Sequence, residues 1–576
     1  MVIKLNENKK IREIESEIDN YYKKFPLLKE KESEAIWYLL VAHDYMLRDY
    51  IYQTGDESGD LNIKFKNGLM HSLKWVTDDC YSGSFSVPKI RVGKNKYKKA
   101  KKLFDLACDY DTVFAAFTSW SRDRATAELI DNKTIDFEMS DKHISYDLLD
   151  RLLFMGRTEV INTSNSSEFQ HIINRIKRSI DVKALEYIEY KVSKRDALTL
   201  SNELYIKGKN RFILPDSWGG FGIKVDGLRK IFAAIRAISV VHVFCHFHVL
   251  EDKKIVNGAR SSMIMVKTKN EWISLIKKYT DFKITRIERI FDFLIYDKEY
   301  KKRDISLQPF IYLDNEYIAL SPMLIQSNYF ERNFIQLLAK IEEYSDEYNA
   351  TTEMFEEDMT KELEDFCQSH NLLICKNVNF KDSLPDLDIG IYDKETKSFF
   401  IGELKWTIPA ADPDEVINKN KNIERKGISQ AMQLLEYARQ NKNDFWEKCF
   451  SNCGIPEDIS YSAGIICKGY VGSDYEIDLD FAKEKMEIVD KNIADSKIRT
   501  LETEINIIEI NLFKKHLDKY DSLLKTIEWI RNESFLPEPG VDFETISREA
   551  QFGPYKIYWV SVKIDKSLDK SIPGLR

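Results

Sequence analysis

The stretch that decides the fold reads Leu384-Pro385-Asp386-Leu387-Asp388-Ile389-Gly390-Ile391-Tyr392, then the polar turn Asp393 to Ser398, then Phe399-Phe400-Ile401-Gly402-Glu403-Leu404-Lys405-Trp406. Both halves are rich in aliphatic and aromatic residues and are separated by turn residues, which predicts two strands joined as a hairpin. Side chains alternate along a strand, so Asp386, Asp388 and Gly390 share one face while Leu387, Ile389 and Ile391 share the other. On the second strand Glu403 and Lys405 share a face, with Phe400, Gly402, Leu404 and Trp406 on the reverse. Pairing the two strands brings Asp388, Glu403 and Lys405 together at one edge.

The triplet alone carries little. With 94 acidic and 86 basic residues in 576, chance supplies about 14 acid-x-base triplets, and an isolated one reads as a solvated hairpin. The apolar run Phe399 to Gly402 is unsuited to an exposed hairpin and reverses that reading. Two or three carboxylates suit a hard, octahedral Mg²⁺, for which Mn²⁺ can substitute, that also takes phosphate oxygens. A lysine beside them can position or help deprotonate the attacking water and neutralise charge developing on a scissile phosphate.

Working outward, a helix is expected from Thr351 or Thr352 to about His370, with the apolar stripe Phe355, Met359, Leu363 and Phe366. After the hairpin a helix is expected from about Lys419 to Arg439, then an apolar strand from Tyr461 to Cys467. On that helix Lys426, Gln430, Gln433 and Tyr437 are spaced +4, +3 and +4 and form one polar stripe that can face phosphate. Charged helices follow after about 480, notably Leu512 to Arg531, and a last strand is expected from Tyr555 to Ile564. Residues 1–345 read as a mixed, largely helical recognition or regulatory region, for example Ser33 to Tyr52, without internal repeats. Turn clusters at Asp56 to Asp60, Asn162 to Ser167 and Asp216 to Gly222 punctuate it.

The segment from Thr351 to Tyr470 resembles the PD-(D/E)XK nuclease superfamily, the restriction-endonuclease-like fold, on Pro385-Asp386-Leu387-Asp388 and Glu403-Leu404-Lys405. The resemblance implies an α-β-β-β-α-β core at 346–480, flanked by the N-terminal region at 1–345 and a helical C-terminal extension with a terminal strand at 481–576. It also implies a short strand near Leu372 to Val378 that precedes the hairpin. Members often carry an acid on the preceding helix, where Phe355-Glu356 stands, and a QxxxY motif on the following one, matched by Gln433-Leu434-Leu435-Glu436-Tyr437. The implied metal ligands are Asp388 and Glu403, assisted by Glu356. Lys405 acts on the water, Gln433 assists catalysis, and Lys426, Gln430 and Tyr437 meet substrate. Either Asp386 or Asp388 can be the strand acid; we take Asp388 and keep Asp386 as a substrate-side neighbour. The resemblance implies a Mg²⁺-dependent phosphodiester hydrolase, a DNA endonuclease of the kind that bacteria use in restriction or antiphage defence. The alternatives are an RNA-directed nuclease or a nucleic-acid-binding sensor whose core is inactive.

The charge balance of −8 means that any polyanion must be met by local patches. The densest basic run is Lys94, Lys96, Lys98, Lys99, Lys101 and Lys102, either a solvated face or a nucleic-acid contact. Eight scattered cysteines without a CxxC pair favour reduced thiols and a cytoplasmic setting. Met1 to Glu15 has no apolar signal core, and Ile231 to Phe244 contains Arg236, so no membrane association is expected. Gly390-Ile391-Tyr392 and Phe400-Ile401-Gly402 lie too close together for a GIY-YIG nuclease. His242, Cys245, His246 and His248 sit in an apolar run and read as core rather than as a zinc site. Gly219-Gly220-Phe221-Gly222 lacks the Lys-Ser/Thr of a phosphate loop, so no nucleotide cofactor is expected. A partner protein or a homo-oligomer stays open.

Overall fold

The computed structural model describes residues 2–564 apart from 55–58, 84–91, 123, 147, 149–165, 184–186, 210–212, 252–259, 297–303, 327, 381–383, 409–422, 452, 469–478, 488, 490–493, 533–535 and 537–542. The architecture is mixed α/β, with many helices and several small sheets. Two compact units interleave in sequence: Met1–Phe137, Thr158–Tyr348 and Arg548–Trp559 form one, and Glu138–Arg157, Asn349–Ser547 and Val560–Arg576 the other. This differs from the three consecutive segments expected. Residues 481–547 belong to the unit that carries the hairpin, and part of the terminal strand belongs to the first unit.

In the first unit, helices Glu32–Thr54, Gly59–Asp79 and Lys94–Ser121 meet around Trp37, Leu69 and Phe104, all fully buried or nearly so. Helix Val2–Asp19 places Ile11, Ile14 and Ile18 on one face, and these pack with Ile135, Phe137, Phe552 and Ile557. Ile557 belongs to Tyr555–Ile564, which runs parallel to Thr134–Met139 with Lys556 opposite Thr134 and Trp559 opposite Phe137. Helix Val225–Glu251 is long and apolar enough to cross a membrane, yet 72% of its most apolar window is buried inside the protein. His242 and His246 on it sit in that core, 2.9 and 3.1 Å from the Ser262 carbonyl oxygen. Burial lowers His242 to about 4, so it stays neutral. Among the described residues no three His, Cys, Asp or Glu side chains form a metal cage, around these histidines or elsewhere. Residues 55–58 and 162–165 of the expected turn clusters lie outside the described residues.

The second unit begins on α1 (Ser345–Ser369), followed by β1 (Leu373–Val378), β2 (Leu387–Asp393), β3 (Ser398–Trp406), α2 (Ser429–Gln440), α3 (Lys442–Cys449), β4 (Ser460–Lys468) and β5 (Ile505–Glu509). The strands form one sheet in the order β1-β2-β3-β4-β5, antiparallel as far as β3 and parallel from β3 to β5. The parallel step from β3 to β4 needs a crossover, which α2 and α3 supply. Ile389, Ile391, Phe400 and Leu404 pack on Met359 and Leu363 of α1. On the opposite face Phe399, Ile401 and Ile465 pack on Ala431, Leu434 and Leu435 of α2. Both faces are therefore covered, and the face that carries Asp388 and Glu403 is itself apolar over most of its length.

Lys419 to Asn422 of the expected α2 segment lie outside the described residues, and Ile423–Ile428 form a π-helix before α2. β5 was not expected. The helix expected over Leu512 to Arg531 is two helices, α4 (Ile510–Tyr520) and α5 (Leu523–Arg531). Asp521 ends the first in the left-handed region at φ 45°, and the Ser522 side chain caps the second by accepting from the Lys525 N–H.

Candidate active site

Ile389 pairs with Gly402, so one step along the antiparallel ladder sets Asp388 beside Glu403. The Leu404 N–H donates to Asp388 Oδ2 at 2.8 Å, which fixes that carboxyl against β3. Lys405 Nζ donates to Glu403 Oε1. The Gln430 amide nitrogen, on the first turn of α2, donates to the same oxygen at 2.9 Å and to the Lys426 carbonyl at 3.2 Å; two acceptors on one side fix the orientation of the amide. Glu403 is 2% exposed, and its Oε2 is buried without a hydrogen-bond donor.

These contacts make an uncomfortable charge cluster. Burial, then the neighbouring Asp388, push the Glu403 carboxyl up to about 8 against the opposing pull of Lys405 and Lys426. Asp388 is raised by burial, moderated by Lys405 and the Leu404 N–H. Burial works against the Lys405 ammonium, but Glu403, Asp388 and Glu356 overcome it and hold Lys405 protonated. A cation meeting Glu403 Oε2 and Asp388 would relieve the repulsion, and carboxylate oxygens are the donors that a hard divalent ion takes. Asp388 and Glu403 supply two carboxyls of the kind that suits Mg²⁺ or Mn²⁺, and with Glu356 they do not close into a three-ligand group.

Glu356 lies on the exposed side of α1, yet it responds to the same group. Burial raises its carboxyl first, with Asp388 adding to this and Lys405 and Lys426 opposing it. Phe355, its neighbour in sequence, stacks on Trp406 at the end of β3, 3.8 Å between ring centroids and 5° between planes. That stack holds this turn of α1 against the strand end that carries Lys405. Gly427 in the π-helix matters for the opposite reason: a Cβ there would stand 2.9 Å from Ile465 and 3.6 Å from Lys405 Cε. The sequence offered no sign of it beyond a glycine in a helical stretch.

The polar stripe separates. Gln430 reaches Glu403 and Lys426 is exposed nearby, whereas Gln433 is buried and donates to the Ser429 carbonyl at 3.1 Å within its own helix. Tyr437 is buried, donates to Asp444 and packs edge-on against Phe380. Asp386 precedes β2, is exposed, and accepts from Asn379 at 2.8 Å. In the first unit, Lys96 pairs with Glu34 at 2.6 Å, Lys99 with Glu30 at 2.6 Å and Lys101 with Asp105 at 2.7 Å. Lys94, Lys98 and Lys102 are exposed and recur every four residues along one helix face. Half of the basic run is thus already compensated by acids.

No protein-family model matches the chain, and no curated protein and no solved structure is significantly similar to it.

Proposed function

We propose that the second unit is a restriction-endonuclease-like core and that the protein is a metal-dependent DNA endonuclease. The observation that carries this reading is Glu403 Oε2, buried without a donor beside a second carboxyl, with a protonated lysine on the other oxygen of the same residue. An ion pair kept only for structure has its buried oxygens hydrogen-bonded, because a buried polar atom without a partner is costly. The order α1, three antiparallel strands, α2, parallel strand also agrees with the arrangement that the resemblance implies.

Asp388 and Glu403 would hold Mg²⁺, with Glu356 assisting. When bound, the cation would act as a Lewis acid toward a phosphate oxygen and favour ionisation of a water. Lys405, kept protonated by its acidic neighbours, is suited to orient the attacking water and to donate toward the negative charge that develops on the phosphate, rather than to serve as the base. Gln430 holds the Glu403 carboxyl, and the Leu404 N–H holds that of Asp388.

The test incubates the full chain with plasmid, linear duplex DNA, single-stranded DNA and RNA, each with Mg²⁺, Mn²⁺ or EDTA. Nicking or linearisation of DNA with either cation and none in EDTA is expected. Cleavage of RNA alone would replace the substrate class, and no cleavage under any condition would overturn the reading.

A further inference from the structure

The glycine turn without a phosphate-loop lysine forms part of a cavity in the first unit. Gly219–Gly220 and Ile223–Lys224 pair as a minimal hairpin, with Gly219 opposite Lys224 and Gly220 opposite Ile223. The two turn residues, Phe221 and Gly222, both have positive φ, 54° and 70°, as a type I′ turn requires. A phenylalanine is rare there, and it is held by its ring, which packs on Phe293, Phe334 and Tyr344. A strained residue kept in place by packing is a common mark of a functional loop.

The hairpin walls a cavity of about 580 Å³ that also includes Phe282 and Arg286, and a second of about 420 Å³ shares Gly222, Ile223, Phe282 and Arg286 with it. This volume lies in the range of small-molecule sites. Four cations line the pair: Lys224, Lys283, Arg286 and Arg289. Arg289 donates to the Phe221 carbonyl at 2.7 Å, which fixes the turn. Among the described residues, Lys224, Lys283 and Arg286 have no ionic partner, and Arg286 lies over the Phe282 ring at 5.2 Å. The acids of the lining are already engaged: Asp281 pairs with Lys194 at 2.6 Å, and Asp226 pairs with Lys230 at 2.7 Å and accepts from Tyr205 at 2.7 Å. The cavity is therefore electropositive, and its lining includes Gly219, Gly220 and the half-buried Phe282 ring.

We propose that this cavity binds a nucleoside phosphate. Lys224 and Arg286 would meet its phosphates by charge-assisted hydrogen bonds, and Phe282 would take the planar base. The proposal does not rest on the nuclease reading, because its site lies in the other unit and involves no cleavage.

Isothermal titration calorimetry of the full chain in EDTA, with ATP, GTP, inorganic tripolyphosphate and a short single-stranded oligonucleotide, tests it. Saturable binding of ATP or GTP is expected, tighter than tripolyphosphate and weakened about tenfold or more in Lys224→Gln and in Arg286→Gln. Both side chains are exposed, and unchanged melting temperatures check that the variants fold. The proposal is overturned by absence of nucleotide binding, by binding that neither substitution weakens, or by equally tight tripolyphosphate. Oligonucleotide binding without nucleotide binding would also overturn it, in favour of a nucleic-acid groove.

Discussion

Asp388 Oδ2 accepts a hydrogen bond from the Leu404 backbone N–H at 2.8 Å, so the carboxyl of one strand is held by the backbone between the acid and the lysine of the next. The position of Asp388 therefore depends on the register of β2 against β3, and a slip of one residue would turn every side chain to the other face.

Asp388→Ala and Glu403→Ala should each lower cleavage by about a thousandfold or more, because each removes carboxylate oxygens that the cation needs. Asp386→Ala should cost far less, since that side chain is exposed and bonded to Asn379. Single-turnover rates with Mg²⁺ check this. Loss of activity in Asp386→Ala with full activity in Asp388→Ala would exchange the two assignments.

Lys405→Ala should keep substrate affinity while turnover falls by about 10²- to 10³-fold, the cost of losing one donor aimed at transition-state charge. Binding titrations beside single-turnover kinetics separate the two quantities. An equal fall in both would make Lys405 a binding group.

The raised carboxyl of Glu403 gives a pH signature without any substrate. Its folded value of about 8 lies above the ordinary value of 4.5, so between these the folded state holds more protons than the unfolded state. Stability of the metal-free protein should then fall as pH rises from about 4.5 to 8. Glu403→Gln should flatten that slope, and Mg²⁺ should stabilise the wild type most at the alkaline end. Chemical denaturation at several pH values in EDTA measures it; an identical slope in Glu403→Gln would assign the titration elsewhere.

Gln430 and Gln433 should behave differently despite their shared stripe. Gln430→Ala leaves Lys405 as the donor to Glu403 Oε1 and should slow cleavage by about tenfold at nearly unchanged stability. Gln433→Ala should cost about 1 to 3 kcal/mol of stability, because a buried, hydrogen-bonded side chain is removed. The opposite pattern in cleavage assays and denaturant melts would restore Gln433 to the site.

Replacing Lys96, Lys99 and Lys101 together by Gln should leave the salt dependence of DNA binding unchanged, since each lysine already faces an acid. Titrations in a Lys405→Ala background at several salt concentrations would show it. A slope reduced by about 0.9 per lysine would mean that these residues contact phosphate after all.

The hairpin and β4 were legible because period-two alternation and apolar runs such as Phe399 to Gly402 have few other uses, whereas β1 followed only from the resemblance. β5 was hidden. Ile505-Asn506-Ile507-Ile508-Glu509 is short, and it stands between the charged helix Asp495–Glu504 and α4, whose periodicity dominates any longer window. The break at Asp521-Ser522 was readable as a capping signal, but the apolar spacing of Leu517, Leu523 and Ile527 bridges it. At the site, strand alternation is enough to bring Asp388, Glu403 and Lys405 together. It does not tell which of Gln430 and Gln433 comes nearest to them, because which turn of a helix meets a strand depends on the π-helix that begins it, and nothing in the sequence marks that extra residue per turn.

The pairing of Tyr555–Ile564 with Thr134–Met139 has a consequence for biosynthesis. Ile135 and Phe137 leave the ribosome more than four hundred residues before Ile557, which completes their core together with Ile11 and Ile14. Until then the nascent chain presents an unpaired edge of Thr134–Met139 and an apolar cluster only partly covered by Val113 and Phe117, both of which favour misassembly. The contact of Ile557 with Ile11 spans more than five hundred residues, so this cluster closes late, and a ribosome that stalls before Ile557 leaves the strand edge open for chaperones to hold.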